Sequence, residues 1–257
     1  MIANTSAVGS WFVCSKPNPS VPLRMFCFPY AGGGMTIFRT WPRGFENFAE
    51  IYLAQLPGRD SRLREAPFTQ LPRLVTEMVQ TIGPYLDKPF VFFGHSMGAI
   101  LSFELARRLR QEKGVEPLHL FVSGRPAPQI RRRDPCSYDL PEPEFVSELL
   151  KLNGTPREVL ENAELRQLVV PLLRADFSVC QTYQYVPEQP LNCPITVFGG
   201  LQDSISHEDL KGWQEQTSAA FKLSMFPGDH FFINTAQPSL LRLITKQLDQ
   251  YVHAGVC

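Results

Sequence analysis

The apolar run Phe90-Val91-Phe92-Phe93 passes straight into Gly94-His95-Ser96-Met97-Gly98. That segment leads in turn into Ala99-Ile100-Leu101-Ser102-Phe103-Glu104-Leu105-Ala106-Arg107-Arg108-Leu109, a helical pattern. A chain that leaves a wholly apolar strand and enters a helix across one short turn has few folds open to it. Such a strand is buried on both faces, as in a parallel sheet covered by helices. The turn has to be sharp, and glycine is needed at positions 94 and 98, where a Cβ would meet the neighbouring strand or helix. G-x-S-x-G in a strand–turn–helix setting is a nucleophile elbow. Its serine sits on a strained turn with the hydroxyl raised above the sheet, and the helix directs its positive dipole end toward a developing oxyanion.

The rest of the chain keeps the same rhythm. Strands are expected at Leu23–Phe28, Ile51–Leu56, Phe90–Phe93, Leu118–Ser123, Pro194–Phe198 and Phe221–Phe226. Leu74, Val75, Met78, Val79 and Ile82 form one helical stripe between them, and Leu240, Leu241, Ile244, Leu248 and Tyr251 form another. This alternation predicts an α/β fold, a mostly parallel central sheet with helices on both faces. The Ser-, Pro- and Asn-rich segment up to Val21-Pro22 reads as a loosely held arm, in which Trp11-Phe12-Val13 forms an edge strand.

One interval breaks the pattern. Between Gly124 and Pro194 lie about seventy residues without a convincing strand, far beyond the usual connection of ~2–6. Helices are expected at Pro143–Leu152, from a capping box at Thr155-Pro156-Arg157-Glu158, and along Leu165, Leu168, Val169, Leu172 and Leu173, where Pro171 should bend the helix. A helical insertion at about 127–190, set over the serine as a lid, completes a single domain spanning 1–257. Extra core-covering helices with no role toward substrate are the alternative.

With 25 basic and 25 acidic residues the formal charge is zero, so no overall field favours nucleic acid or a membrane surface. No apolar run is long enough to span a bilayer, and no signal peptide is evident. The six cysteines are scattered, with no C-x-x-C and no histidines at ligand spacing, so no metal site is expected. Cys27 and Cys193 fall in strand-like surroundings as small core residues. A reduced, cytoplasmic protein, monomeric and without cofactor, is the expectation.

A serine needs a base to accept its proton, and that base needs an orienting acid, in chain order Ser, acid, His. Of five histidines, His95 adjoins Ser96 and points away from it, His119 lies in or beside a strand, His207 would need an acid other than Asp203, and His253 is in the tail. His230, after Pro227-Gly228-Asp229 at the end of the last strand, is the expected base. Asp203, beyond Pro194–Phe198 and Gly199-Gly200-Leu201-Gln202, is the expected acid, with Asp229 as rival and Asp176 read as a solvated or capping residue. The oxyanion donors are expected to be the amides of Met97 and Ala31, with Tyr30 or Gly32 in place of Ala31 as alternatives. The triple glycine Gly32-Gly33-Gly34 lacks the G-K-[ST] ending of a phosphate cradle.

These residues together resemble the type II thioesterases, the stand-alone α/β-hydrolases serving polyketide, nonribosomal peptide and fatty acid synthases. The likeness runs through Phe28-Pro29-Tyr30-Ala31-Gly32-Gly33-Gly34, then Leu56-Pro57-Gly58-Arg59 with Arg62 and Glu65, then Gly94-His95-Ser96-Met97-Gly98-Ala99. It continues in Leu172-Leu173-Arg174-Ala175-Asp176-Phe177 and in Pro227-Gly228-Asp229-His230-Phe231-Phe232. The resemblance implies a triad of Ser96, Asp203 and His230. It also implies an acyl thioester substrate on the phosphopantetheine arm of an acyl or peptidyl carrier protein, cleaved to edit stalled chains or to release finished ones. Arg131-Arg132-Arg133 is either a basic cluster that steers an acidic carrier or a solvated loop. A general carboxylesterase or lipase, a malonyl-type acyltransferase with its own G-H-S-x-G serine, and a catalytically degenerate binding module are the rival readings.

Overall fold

The computed structural model describes residues 11–130 and 136–253, excluding the side chain of His253. Its strands are β1 (Phe12–Cys14), β2 (Leu23–Phe28), β3 (Ala49–Ala54), β4 (Phe90–His95), β5 (His119–Ser123), β6 (Ile195–Gly200) and β7 (Phe221–Phe226). The helices are α1 (Leu71–Ile82), α2 (Met97–Lys113), α3 (Glu142–Leu152), α4 (Arg157–Glu161), α5 (Ala163–Gln181), α6 (His207–Lys211), α7 (Phe232–Thr235) and α8 (Gln237–His253). The strands form one seven-stranded sheet in the order β1-β3-β2-β4-β5-β6-β7. All neighbours are parallel except β1, which runs antiparallel to β3.

Because strand side chains alternate between faces, each apolar run feeds two cores. Phe26, Phe28, Phe92, Leu120, Val122 and Val197 point to the side covered by α1 and α2. Met25, Cys27, Val91, Phe93, Phe121 and Phe198 point to the other side, covered by Trp41, Phe45 and the buried stripe Leu240, Ile244 and Leu248 of α8. The elbow strand β4 lies between β2 and β5, with Met25 opposite Val91 and Phe93 opposite Phe121. Its carboxyl end therefore opens near the middle of the sheet.

Three expectations shift. β3 begins at Ala49 rather than Ile51, because Glu50 is a buried strand residue. Its carboxylate pairs with Arg24 Nε at 3.3 Å and Lys88 Nζ at 3.7 Å, so a charge masks the start of an otherwise apolar run. The arm is not loosely held over residues 11–14: its expected edge strand forms one residue later, as β1, paired with β3 in register Phe12–Ala54 and Cys14–Tyr52. The capping box at Thr155 does not form. Pro156, in extended conformation, is itself the N-cap of α4, which leaves Thr155 one position outside the helix. The cap in this region is instead Asn162, whose side chain accepts the Leu165 amide at 3.0 Å at the start of α5, and α5 continues through Pro171.

α3, α4 and the first half of α5 gather around Phe145, Leu149, Leu160, Val170 and Leu173, a small core separate from the two beside the sheet. Among the described residues no helix is long and apolar enough to cross a membrane.

Phe12 is 2 % exposed and meets Phe26, Tyr85 and Phe28 edge-on, with ring centroids 5.2, 5.7 and 6.4 Å away. Phe12→Ala should therefore cost about 3–5 kcal/mol in urea unfolding, the range for a buried phenylalanine. A loss below about 1 kcal/mol, the scale of a surface change, would contradict the docking of the arm.

Candidate active site

At the end of β4 the chain turns through Ser96, which holds φ +54° and ψ −110°. A side chain is rarely kept in that region unless its surroundings enforce it. Here the Ser96 amide donates to the Ser123 carbonyl at 2.8 Å, tying the turn to β5. A Cβ on Gly94 would strike the Gly98 carbonyl, and one on Gly98 would strike that of Phe28. The two glycines thus let α2 cross β4 and β2 at backbone contact distance.

The Ser96 hydroxyl faces His230, with Oγ 3.0 Å from Nε2. On the other side of the ring, Nδ1 is 2.8 Å from Asp203 Oδ2. An ionised carboxylate only accepts, so Nδ1 carries the proton and Nε2 presents its lone pair to the serine. Burial works against ionisation of Asp203, whose side chain is 4 % exposed. The hydrogen bond and charge attraction of His230, with the amides of Ile205 and Ser204, outweigh it and hold the carboxyl below the usual carboxylate range.

The loops bearing Asp203 and His230 are bonded to each other. Leu201 N donates to Phe226 O at 2.8 Å and Gln202 N to Gly228 O at 2.9 Å, while the Gln202 side chain accepts the Gly228 amide at 2.5 Å. Asp229, the rival acid, is occupied within its own turn, where its carboxylate accepts the Phe231 amide at 2.8 Å. The bracing role of Gln202 was not evident from sequence, since a lone glutamine in a loop carries no signal.

The other histidines are accounted for by their surroundings. His95 is buried, with Nδ1 2.8 Å from Ser123 Oγ and its ring 5.2 Å from that of His230. Burial, then repulsion from His230, pushes its pKa well down. His119 lies between Thr196 Oγ1 at 2.8 Å and Tyr251 OH at 3.0 Å, stacked on Phe121. His207 is exposed beside Glu208. The side chain of His253 and the Arg131-Arg132-Arg133 cluster lie outside the described residues.

The loop after β2 runs Pro29-Tyr30-Ala31-Gly32-Gly33-Gly34 beside the elbow. Gly32 drops out as an oxyanion donor, because its amide donates to Asp176 Oδ2 at 2.7 Å. Among the described residues the amides of Ala31 and Met97 have no hydrogen-bond partner. Asp176 is not solvated and caps nothing. It is 3 % exposed and forms a double hydrogen bond with the Arg59 guanidinium at 2.7 and 2.8 Å. A charged residue mid-helix reads from sequence as solvent-facing, and the cue that corrects it is the distant arginine of the Leu56-Pro57-Gly58-Arg59 segment.

A cavity of about 760 Å³ opens on Ser96 and His230. The segment Gly124–Ile130, Ile100, the carboxyl end of α5 at Cys180 and Gln181, and Tyr183 and Tyr185 line it. Among the described residues no group of three or more His, Cys, Asp or Glu is arranged to hold a metal ion. What the arrangement can do chemically is deprotonate a serine hydroxyl at the mouth of a pocket large enough for an acyl group, with two amides available to a developing oxyanion.

Comparison with known proteins gives a consistent picture. The family model described as "Thioesterase domain" matches residues 23–248. Gramicidin S biosynthesis protein GrsT of Aneurinibacillus migulanus is 47% identical over 95% of each chain. A protein named linear gramicidin dehydrogenase LgrE, from Brevibacillus parabrevis, is 42% identical over 94% of each chain. Among solved structures, the type II thioesterase BorB from the borrelidin biosynthetic cluster superposes with a TM-score of 0.85 at 32% identity, covering 95% of this chain and 98% of its own.

The buried histidines make stability depend on pH. Burial, with a smaller push from Lys222, lowers the His119 pKa to about 3. An unfolded histidine titrates near ~6.5. Between these values the unfolded chain binds a proton that the folded chain refuses, so stability falls as pH drops below the unfolded value and continues to fall toward the folded one. From pH 7 to pH 5, His119 alone should cost about 2 kcal/mol in guanidinium unfolding, and His95 adds in the same direction. His119→Gln should show a correspondingly smaller drop, and equal stability at both pH values would contradict the assignment.

Proposed function

We propose that this chain, which belongs to the thioesterase family and stands among its type II members, cleaves acyl thioesters by way of an acyl-serine intermediate on Ser96. The observation that carries this reading is the relay from Ser96 Oγ to His230 Nε2 and from His230 Nδ1 to Asp203 at the mouth of the cavity. His230 takes the serine proton as Oγ attacks the thioester carbonyl. Asp203 fixes the reactive tautomer and stabilises the imidazolium that forms. The amides of Ala31 and Met97 hold the oxyanion. The tetrahedral intermediate collapses by expelling the thiol, and His230 returns its proton to the leaving sulfur. His230 then deprotonates a water, which cleaves the ester, and the proton passes back to Ser96 as the free acid leaves.

The substrate in this reading is an acyl group on the phosphopantetheine thiol of an acyl or peptidyl carrier protein. The kinship with GrsT, named a gramicidin S biosynthesis protein, and with BorB, a type II thioesterase from the borrelidin biosynthetic cluster, supports it. The helices α3–α5 act as a lid within the same domain, and the enzyme works as a monomer in the cytoplasm. LgrE is named a dehydrogenase, and one assay separates that chemistry from hydrolysis, which yields free acid and free thiol with nicotinamide unchanged.

Intact-mass measurement of acylated carrier proteins tests the proposal, with the expected result being loss of the acyl mass and recovery of the bare phosphopantetheine thiol. Ser96→Ala should lower turnover on the order of 10³-fold or more, and Asp203→Asn by about 10³–10⁴-fold through the wrong tautomer. Transfer of the acyl group to a second thiol would identify an acyltransferase. Faster cleavage of an oxygen ester than of the matching thioester would identify an esterase. Normal hydrolysis by Ser96→Ala would overturn the serine mechanism.

A further inference from the structure

Directly behind the oxyanion loop lies a buried ion pair for which the reaction as written has no use. Arg59 follows β3 and is 5 % exposed, and Asp176 sits in the second half of α5. Guanidinium meets carboxylate fork to fork, Nη2 to Oδ1 at 2.7 Å and Nη1 to Oδ2 at 2.8 Å. The same two side chains hold the loop. Asp176 Oδ2 accepts the Gly32 amide at 2.7 Å, and Arg59 Nη1 donates to the Gly33 carbonyl at 2.9 Å.

Two further features show that the loop's geometry is imposed from this side. Gly32 has φ +77°, and the Leu173 side chain of α5 fills the place a Cβ would take. Asp60, next to Arg59, accepts the Met35 amide at 3.0 Å and so fixes the far end of the loop. A buried ion pair is often no more stabilising than an apolar replacement of the same volume. What it supplies here is direction, because a planar fork on a carboxylate tolerates little displacement.

We propose that Arg59 and Asp176 are positioning residues for the oxyanion hole, holding the Gly32 amide and Gly33 carbonyl so that the neighbouring Ala31 amide stays aimed at the reacting carbonyl. This rests on the acyl-serine reading above and deepens it. The pair also joins the oxyanion loop to α5, whose carboxyl end lines the cavity at Cys180 and Gln181. Catalytic competence then requires α5 to be seated, and an acyl group touching the end of that helix bears on the same element that sets the oxyanion donor.

Asp176→Asn keeps shape and an acceptor for Gly32 but removes the charge that Arg59 needs. Arg59→Lys keeps charge but loses the fork. With enzyme concentrations set by active-site titration, each should lower kcat toward an acyl-pantetheine thioester by about 10–100-fold, with KM within about twofold, since small misplacements and lost oxyanion donors act in the transition state. Fluorophosphonate labelling of Ser96 should slow in parallel, because the phosphonyl oxygen occupies the same hole. Arg59→Lys should retain more activity than Arg59→Gln.

A merely structural role predicts a lower Tm with kcat per titrated site unchanged, and that result would overturn the proposal. So would failure of both conservative variants to fold, which would assign the pair to folding. Ser96→Ala, run alongside, separates this claim from the one beneath it. An active Ser96→Ala sinks the serine mechanism itself. An inactive Ser96→Ala with full kcat in both pair variants sinks only the positioning role.

Discussion

The close crossing of β4 and α2 is the constraint from which the rest of the site follows. The serine between them occupies a backbone region that costs on the order of 1–3 kcal/mol. The turn survives because β4 is pinned on both sides, by β2 and β5, and because the Ser96 amide is bound to Ser123. Glycine at 94 and 98 permits backbone contact where any side chain would force the helix away. That contact sets the Met97 amide beside Ser96 and lifts the hydroxyl to the sheet rim, where the loops after β2, β6 and β7 converge.

Asp203 and His230 come from the loops after β6 and β7, and their alignment is a matter of loop bonding rather than of the strands themselves. Backbone bonds between residues 201–202 and 226–228, with the Gln202 side chain, make the two loops a single unit. His95 sets the electrostatics beside that unit. A protonated neighbour one ring away from His230 would oppose formation of the imidazolium, and burial keeps His95 neutral instead. The ring packing of Tyr30 and Phe231 closes the same corner, with centroids 5.2 Å apart.

The parts of this architecture that depend on local pattern were legible in the chain. Leu23–Phe28 and Phe221–Phe226 are strands with the bounds their composition suggests. The elbow was legible because glycine spacing and flanking strand and helix all state the same turn. That His230 and Asp203 meet beside Ser96 was legible because each follows a strand, at the rim where such loops meet. What escaped sequence reasoning depends on partners far away in the chain. Glu50 hid the start of β3 because its counter-ions Arg24 and Lys88 come from other segments. Asp176 looked solvated because Arg59, which neutralises it, lies 117 residues earlier. Charge on its own argues for exposure, and only the fold reveals that a charge is paired.

Rapid-quench mass spectrometry of the Ser96 peptide during turnover of an acyl thioester tests the central claim most directly. The account predicts a transient mass increase equal to the acyl group, carried on Ser96 and gone once substrate is exhausted. An acyl adduct on a different residue, or full-rate hydrolysis with none on Ser96 at any quench time, would contradict it.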